Sequence, residues 1–283
     1  MRRPRFRSTP KSIAKRIAEG RGQGEGLNYR PWFTVRDFPS RGRVHRIRGW
    51  KHGRVHHLMS DLEADGFYEY EPPTLALGRL RLAITDTREQ FPLFPLEETI
   101  EIAKELGVRH PTDPWTKYPS VMTTDLVMTA RWNMTTLYLA RAYKYASDLD
   151  NTRTREKLEI EKIYWGRRPA VDWGITRDID ICRPLVSNVK WIHPCSRLLD
   201  LYPLTIPQVM DVALVMTDSV LRGKLPLKLV TRGCDEKLRL KPGRSLGVVR
   251  YLLANRHWEI DLTRRIVLRE PLPLAGFSLD SLA

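Results

Sequence analysis

Apolar and polar positions along this chain follow two periods, and the switches between them mark its elements. Ser8-Thr9-Pro10 followed by KSIAKRIAEG reads as a cap, a first-turn proline and a short helix stopped by Gly20. Residues 29–55 carry short strand patterns broken by Pro39-Ser40 and by glycines. HHLMSDLEADGFYEY (56–70) has helical spacing, with Leu58, Leu62 and Phe67 turned inward. LRLAITDTREQFPL (80–93) is predicted as a strand ending at Pro92, and residues 96–106 as a helix closed by Gly107. TTDLVMTARWNMTTLYLARAYK (123–144) alternates on both sides of a polar tip, Arg131-Trp132-Asn133-Met134, and predicts a hairpin. A helix over 152–168, a strand over Val171–Ile175 and a helix over 183–192 follow.

The character changes near Pro194. LTIPQVMDVALVMTDSVLRG, PLKLVTRGC and GRSLGVVRYLLANRH are predicted helices, and HWEIDLTRRIVLREPL alternates like a hairpin. Three helices followed by a two-stranded wing is the order of a winged helix. This divides the chain into residues 1–194 and 195–283. GRGQGEG has no strand before it and no Gly-Lys-Ser/Thr after it, so it reads as a flexible connector near DNA, not as a phosphate loop.

Charge sharpens the picture. The net charge is +15 over 283 residues. Residues 1–60 hold sixteen Lys and Arg against three Asp and Glu. Arginines there alternate with His, aromatic and Gly residues (GRVHRIRGWKHGRVHH), a mix suited to phosphates and stacked bases. No apolar run spans a bilayer, and the basic start lacks the apolar stretch of a secretory signal. The three cysteines, Cys182, Cys195 and Cys234, form no CxxC. A zinc site and a disulfide framework are not expected, and a bacterial cytoplasm is.

The hairpin carries the chemistry. With its turn centred between Trp132 and Asn133, Asp125 faces Ala140, and Ala140, Ala142 and Lys144 share one face. Asp125 and Lys144 then point to one side. An acid that binds a divalent cation and a lysine that orients water or steadies developing charge suit phosphodiester hydrolysis. A surface salt bridge is the plainer alternative from spacing alone.

A resemblance decides between them. EGRGQGEGLNYRPWFTV, GRVHRI, KHGRVHHLMSDLE, TREQFPL, TTDLV and RTREKLEIEKIYW occur in order and resemble the TnsA family. These are endonuclease subunits of heteromeric cut-and-paste transposases, some of them CRISPR-associated. The resemblance runs through most of residues 10–192, and residues 194–283 follow it in layout only. It implies an α/β fold: a restriction-endonuclease-like, PD-(D/E)XK nuclease domain followed by a winged helix. It implies cleavage of the 5′ ends of a transposon with Mg²⁺, for which Mn²⁺ can substitute. The implied partners are double-stranded transposon ends, an integrase-type (TnsB-like) subunit and an AAA+ (TnsC-like) regulator, with no membrane. By motif, the catalytic residues are Glu63 (HHLxSDLE), Asp125 (TDxLV) and Lys144. Glu63 and Asp125 are the metal ligands. One position departs: Ala142 stands where the family's best-known member has a metal-ligating glutamine.

Weaker DNA-contact candidates are Arg46, Arg48, Lys51, Arg54, His56, Arg264 and Arg265; His57 lies beside them, and Arg88 and Glu89 read as an internal ion pair. Besides the nuclease, two readings stand: a catalytically impaired DNA-binding scaffold, and an RNA-binding protein without enzymatic role.

Overall fold

A computed structural model describes residues 7–37, 43–72, 74–77 and 80–279, and all of these except residues 74–77, 80 and 81 with their side chains. The Pro39-Ser40 break and the first six residues lie outside the described residues. The chain forms two compact units, Met1–Ile181 and Cys182–Ala283. The expected division at 194/195 differs from this by one helix.

In the first unit, helix α1 (Pro10–Ala18) begins as the sequence predicts. Thr9 and Ser12 cap one another's backbone N–H groups, and Pro10 opens the first turn. The glycine-rich segment is tied down: Gly22 donates to the Arg30 carbonyl, Arg30 to the Gln23 carbonyl and Gly26 to Asp86. Gly22 and Gly24 sit at φ 74° and 84°, which side chains disfavour, so the alternation encodes a tight turn in place of the flexible connector expected.

A small hairpin, β1 (His45–Arg48) and β2 (Val55–Leu58), leads into helix α2 (Asp61–Tyr70). His56 and His57 therefore lie on a strand, not in the helix read from their spacing. The helix starts later because Ser60 caps it, accepting from the Glu63 N–H at 3.1 Å.

The central sheet has the order β3 (Thr74–Leu77), β4 (Leu80–Pro92), β5 (Thr123–Trp132), β6 (Thr135–Lys144), β7 (Val171–Arg177). Only β6 and β7 pair in parallel. Helix α3 (Leu96–Glu105) lies between β4 and β5, and α4 (Thr152–Gly166) makes the crossover that a parallel pair requires. This mixed α/β layout fits a restriction-endonuclease-like nuclease. One core joins Leu93, Ile102, Val127, Ala140, Ile160, Tyr164 and Trp165, and a second joins Ile13, Trp32, Leu96 and Val121. The second fastens α1 to the nuclease body.

The β5–β6 hairpin turns at Asn133-Met134, with Trp132 paired to Thr135 and Leu126 to Arg141. Carried back one residue, that register puts Ala142 across from Asp125, not Ala140. The shift is two residues, and side chains repeat every two, so the expected face survives.

The second unit contains α5 (Arg183–Ile192), α6 (Ile206–Leu221), α7 (Leu227–Lys237) and α8 (Arg244–Ala254). The three later helices match the sequence reading. The hairpin expected over residues 257–272 does not form: β8 (Trp258–Glu259) pairs with β9 (Gly276–Phe277) instead. The intervening backbone bonds elsewhere. Asn188 of α5 donates to the carbonyls of Leu262 and Arg264 and accepts from the Ile266 N–H. The Leu268 and Glu270 carbonyls accept from Lys228 and Leu227, free donors in the first turn of α7. Arg264 and Arg265 thus stand exposed on an irregular segment, not on a wing. Among the described residues, no helix is long and apolar enough to cross a membrane.

Candidate active site

Three elements of the first unit converge where β5 begins and β6 ends. Asp125 Oδ2 accepts from Lys144 Nζ at 2.8 Å and from the Tyr143 N–H at 2.8 Å. Lys144 Nζ also donates to the Tyr143 carbonyl at 2.8 Å. Glu63, in the first turn of α2, turns its carboxylate back along the chain. It accepts from the Met59 N–H at 2.9 Å and the Ser60 hydroxyl at 3.2 Å. The helix N-terminus favours a negative charge at that position.

The electrostatics show that the three groups feel one another. The Glu63 carboxyl is pushed up to about 8, by burial first and then by Asp125, against the pull of the Met59 N–H, Lys144 and Ser60. For Lys144, burial opposes the charge, but Asp125 outweighs it with help from Glu161 and Glu63, and the ammonium is held at about 12. A carboxylate raised by a like charge beside it is a place where a divalent cation binds favourably.

The packing that delivers Glu63 is tight. Tyr143 points away from Ala142 and Lys144 and meets α2 at Gly66, three residues after Glu63. A Cβ on Gly66 would overlap the Tyr143 ring. Gly66→Ala should cost about 1–3 kcal/mol, as overpacking does. Because the ring lies between α2 and the Lys144 strand, the same variant should also weaken cleavage at temperatures where it stays folded. Denaturant unfolding and a cleavage assay on one preparation check both; unchanged stability rules the contact out.

Sequence reasoning missed a third carboxylate. Glu161 of α4 is buried and accepts from the Thr124 hydroxyl at 2.6 Å and Trp173 Nε1 at 3.2 Å. Burial, then Asp125, pushes it up to about 7. It lines a cleft of about 460 Å³ with Lys144, Thr123, Asp148, Thr154 and Lys157. The signal was present: Glu161 falls three after Leu158 and four before Trp165, on the apolar stripe of a helix whose charges otherwise face outward.

Glu161 also yields a pH prediction. Its folded pKa lies above its unfolded value, so the folded state binds this proton more tightly, and the stability this confers declines as pH rises through about 7. Between pH 5 and 8, metal-free wild-type protein should lose on the order of 2 kcal/mol relative to Glu161→Gln. Urea unfolding at each pH measures this, and parallel curves for the two proteins would contradict it.

Three of the DNA-contact candidates are committed internally. Arg54, 8 % exposed, donates twice to Glu89 at 2.8 Å and also to the carbonyls of Gly26 and Thr87. His56 Nδ1 lies 2.9 Å from the same carboxylate. Burial alone would raise Glu89, but His56 and Arg54 outweigh it and hold the group at about 2. Glu89 therefore pairs with Arg54, whereas Arg88 lies over the rings of Phe91 and Tyr138. Lys51 Nζ is buried against the carbonyls of Tyr70 and Glu71 and the Glu71 carboxylate. Arg46 and Arg48 remain exposed on β1.

The donor set fits a hard cation. Among the described residues no group of three or more His, Cys, Asp and Glu side chains is arranged to hold a metal ion. Zinc and calcium need such groups, but Mg²⁺ keeps several waters and is satisfied by one or two carboxylates plus phosphate oxygens. Glu63 and Asp125 supply that number.

Comparison with known proteins identifies the family. Residues 82–178 match the profile of the TnsA-like endonuclease N terminal, and residues 180–262 that of the TnsA endonuclease C terminal. The transposon Tn7 transposition protein TnsA of Escherichia coli is 35% identical over 243 residues, which is 86% of this chain and 83% of that one. The chain belongs to the TnsA family. It is a DNA endonuclease that cleaves transposon ends within a Tn7-like transposase. That activity excludes an RNA-binding protein without enzymatic role, and a TnsA-type nuclease implies a divalent metal. The two matched profiles meet at residues 178–180, beside the Ile181/Cys182 division of the fold.

Proposed function

We propose that this TnsA-family endonuclease hydrolyses a phosphodiester at the 5′ ends of its transposon, using Glu63 and Asp125 to hold Mg²⁺ and Lys144 to assist the attacking water. Mn²⁺ substitutes for Mg²⁺. The observation that carries the reading is the 2.8 Å contact of Lys144 with Asp125, at a point where Asp125 also raises Glu63.

Each residue has a distinct task. Asp125 is aimed by the Tyr143 N–H and Glu63 by the Met59 N–H and the Ser60 hydroxyl, so neither carboxylate must reorganise. Mg²⁺, when held by these two carboxylates, would supply Lewis acidity and lower the pKa of the attacking water. Lys144 enters as an ammonium at about 12, so it donates to the water or the phosphate and steadies charge without removing a proton. Arg46, Arg48, Arg264 and Arg265 are the exposed cations assigned to DNA phosphates. Residues 182–283 serve as a winged-helix-like module whose wing is replaced by the segment pinned on Asn188. The chain acts with an integrase-type, TnsB-like subunit and an AAA+, TnsC-like regulator in the bacterial cytoplasm.

Ala142 keeps one alternative open. It lies across from Asp125, is 1% exposed and has no ligand atom in its side chain, which favours a scaffold subunit impaired in cutting. A strand-specific cleavage assay separates the readings. With partner subunits, transposon ends and Mg²⁺, the nuclease reading predicts nicks on the 5′ strand. No nicks with Mg²⁺ or Mn²⁺, and nicks restored by Ala142→Gln, would establish the scaffold.

A further inference from the structure

Asp125 has a neighbour on each side of β5. The Ala142 side chain on β6 offers it no polar atom. On β4, Glu89 pairs with Leu126 and Phe91 with Thr124, so Gln90 lies between, across from Asp125. Gln90 is buried, and both ends of its amide are used: Nε2 donates to Glu63 Oε2 at 3.3 Å, and Oε1 accepts from the Thr123 hydroxyl at 3.1 Å. Its backbone is left-handed, φ 48°, close to the C-terminal end of the extended strand β4. The backbone N–H of Trp32, a fully buried residue, donates to the Gln90 carbonyl and clamps that conformation. Non-glycine residues rarely hold this φ, and a strained residue whose polar end grips a site carboxylate is characteristic of pre-organisation. If the kink were only a turn, glycine would serve better and no amide would be needed.

We infer that Gln90 is a positioning residue for the nuclease site, fixing the Glu63 carboxylate beside Asp125 from the strand opposite Ala142. The amide donates to the Glu63 carboxyl group and is itself held in one orientation by Thr123, which removes the freedom to flip. Groups that orient a metal-binding carboxylate typically matter 10–100-fold for metal affinity. This inference rests on the proposed role of Glu63 and Asp125.

The test exploits the backbone. Gln90→Gly removes the amide yet suits φ 48°, so the backbone stays unstrained and the cost in thermal stability is confined to the lost side-chain contacts. Calorimetric titration of the full chain with Mn²⁺ should show affinity falling about tenfold or more, with 5′-strand cutting reduced in parallel. Thr123→Val leaves the β4 backbone intact and should weaken Mn²⁺ by at least about threefold, an intermediate loss on the same scale; it decides the matter if Gln90→Gly does not fold. Mn²⁺ affinity within about twofold of wild type in both variants, or in Thr123→Val alone if Gln90→Gly does not fold, overturns the inference. Asp125→Ala is the control: if it binds Mn²⁺ like wild type, the metal assignment fails, and if it alone loses binding, only the role of Gln90 fails.

Discussion

Asp125→Ala should leave a folded protein that cuts transposon ends at least about 10³-fold more slowly, because a metal-assisted step worth several kcal/mol disappears. Asp125 is bound to the Lys144 ammonium and the Tyr143 N–H, and its charge reaches Glu63. Its removal therefore strips a proposed ligand, frees Lys144 and relieves the repulsion that adds to burial in raising Glu63. The fold should survive its loss, because the neighbouring core is carried by Leu126, Val127 and Met128. Glu63→Ala should act in the same direction, with assembly on partner subunits retained in both. Assembly is read by co-sedimentation with DNA ends and cutting by strand-specific gels. Wild-type cutting by Asp125→Ala would reject the site.

The second large effect concerns stability. Glu89→Ala should cost about 3–5 kcal/mol, since it leaves the buried Arg54 guanidinium and His56 without their shared acid. Glu89 also accepts from the His57 N–H at 3.1 Å, tying β2 to β4 just ahead of the Met59–Glu63 turn. The lost interactions should therefore loosen Glu63 as well as the fold. The pH dependence has a definite sign. The folded pKa of about 2 is depressed, so the contribution is complete above the unfolded value near 4.3 and fades as pH falls through about 2. The gap in urea midpoint between wild type and Glu89→Ala should hold at pH 6–8 and narrow below about pH 4. The double replacement Arg54→Met, Glu89→Leu should recover part of the loss, because the Arg54 guanidinium is then not stranded.

What the sequence made legible follows from how local each signal is. The cap of α1, the helices α3 to α8 and the hairpin strands depend on contacts a few residues apart, and they appear where periodicity predicts them. Asp125 and Lys144 share a face because the two-residue error in register preserves alternation. The expected wing failed because its backbone partners are remote: Asn188 and the first turn of α7 capture hydrogen bonds that strand-like alternation seemed to promise. Arg54, Lys51 and His56 looked like DNA contacts because a charge run in sequence does not reveal which members turn inward to meet a buried acid. Glu89, the acid that claims Arg54 and His56, is more than thirty positions away from both. Gln90 carried no signal, since left-handed backbone at a glutamine is a tertiary outcome.

The most direct test of the central claim is anomalous scattering from a crystal of the full chain bound to a transposon end and soaked with Mn²⁺. The account predicts a peak between the carboxylates of Glu63 and Asp125, within about 2.0–2.4 Å of an oxygen of each, as divalent ions of this kind require. A well-ordered site with no peak there, or an ion held by other side chains while those two acids point apart, would contradict it.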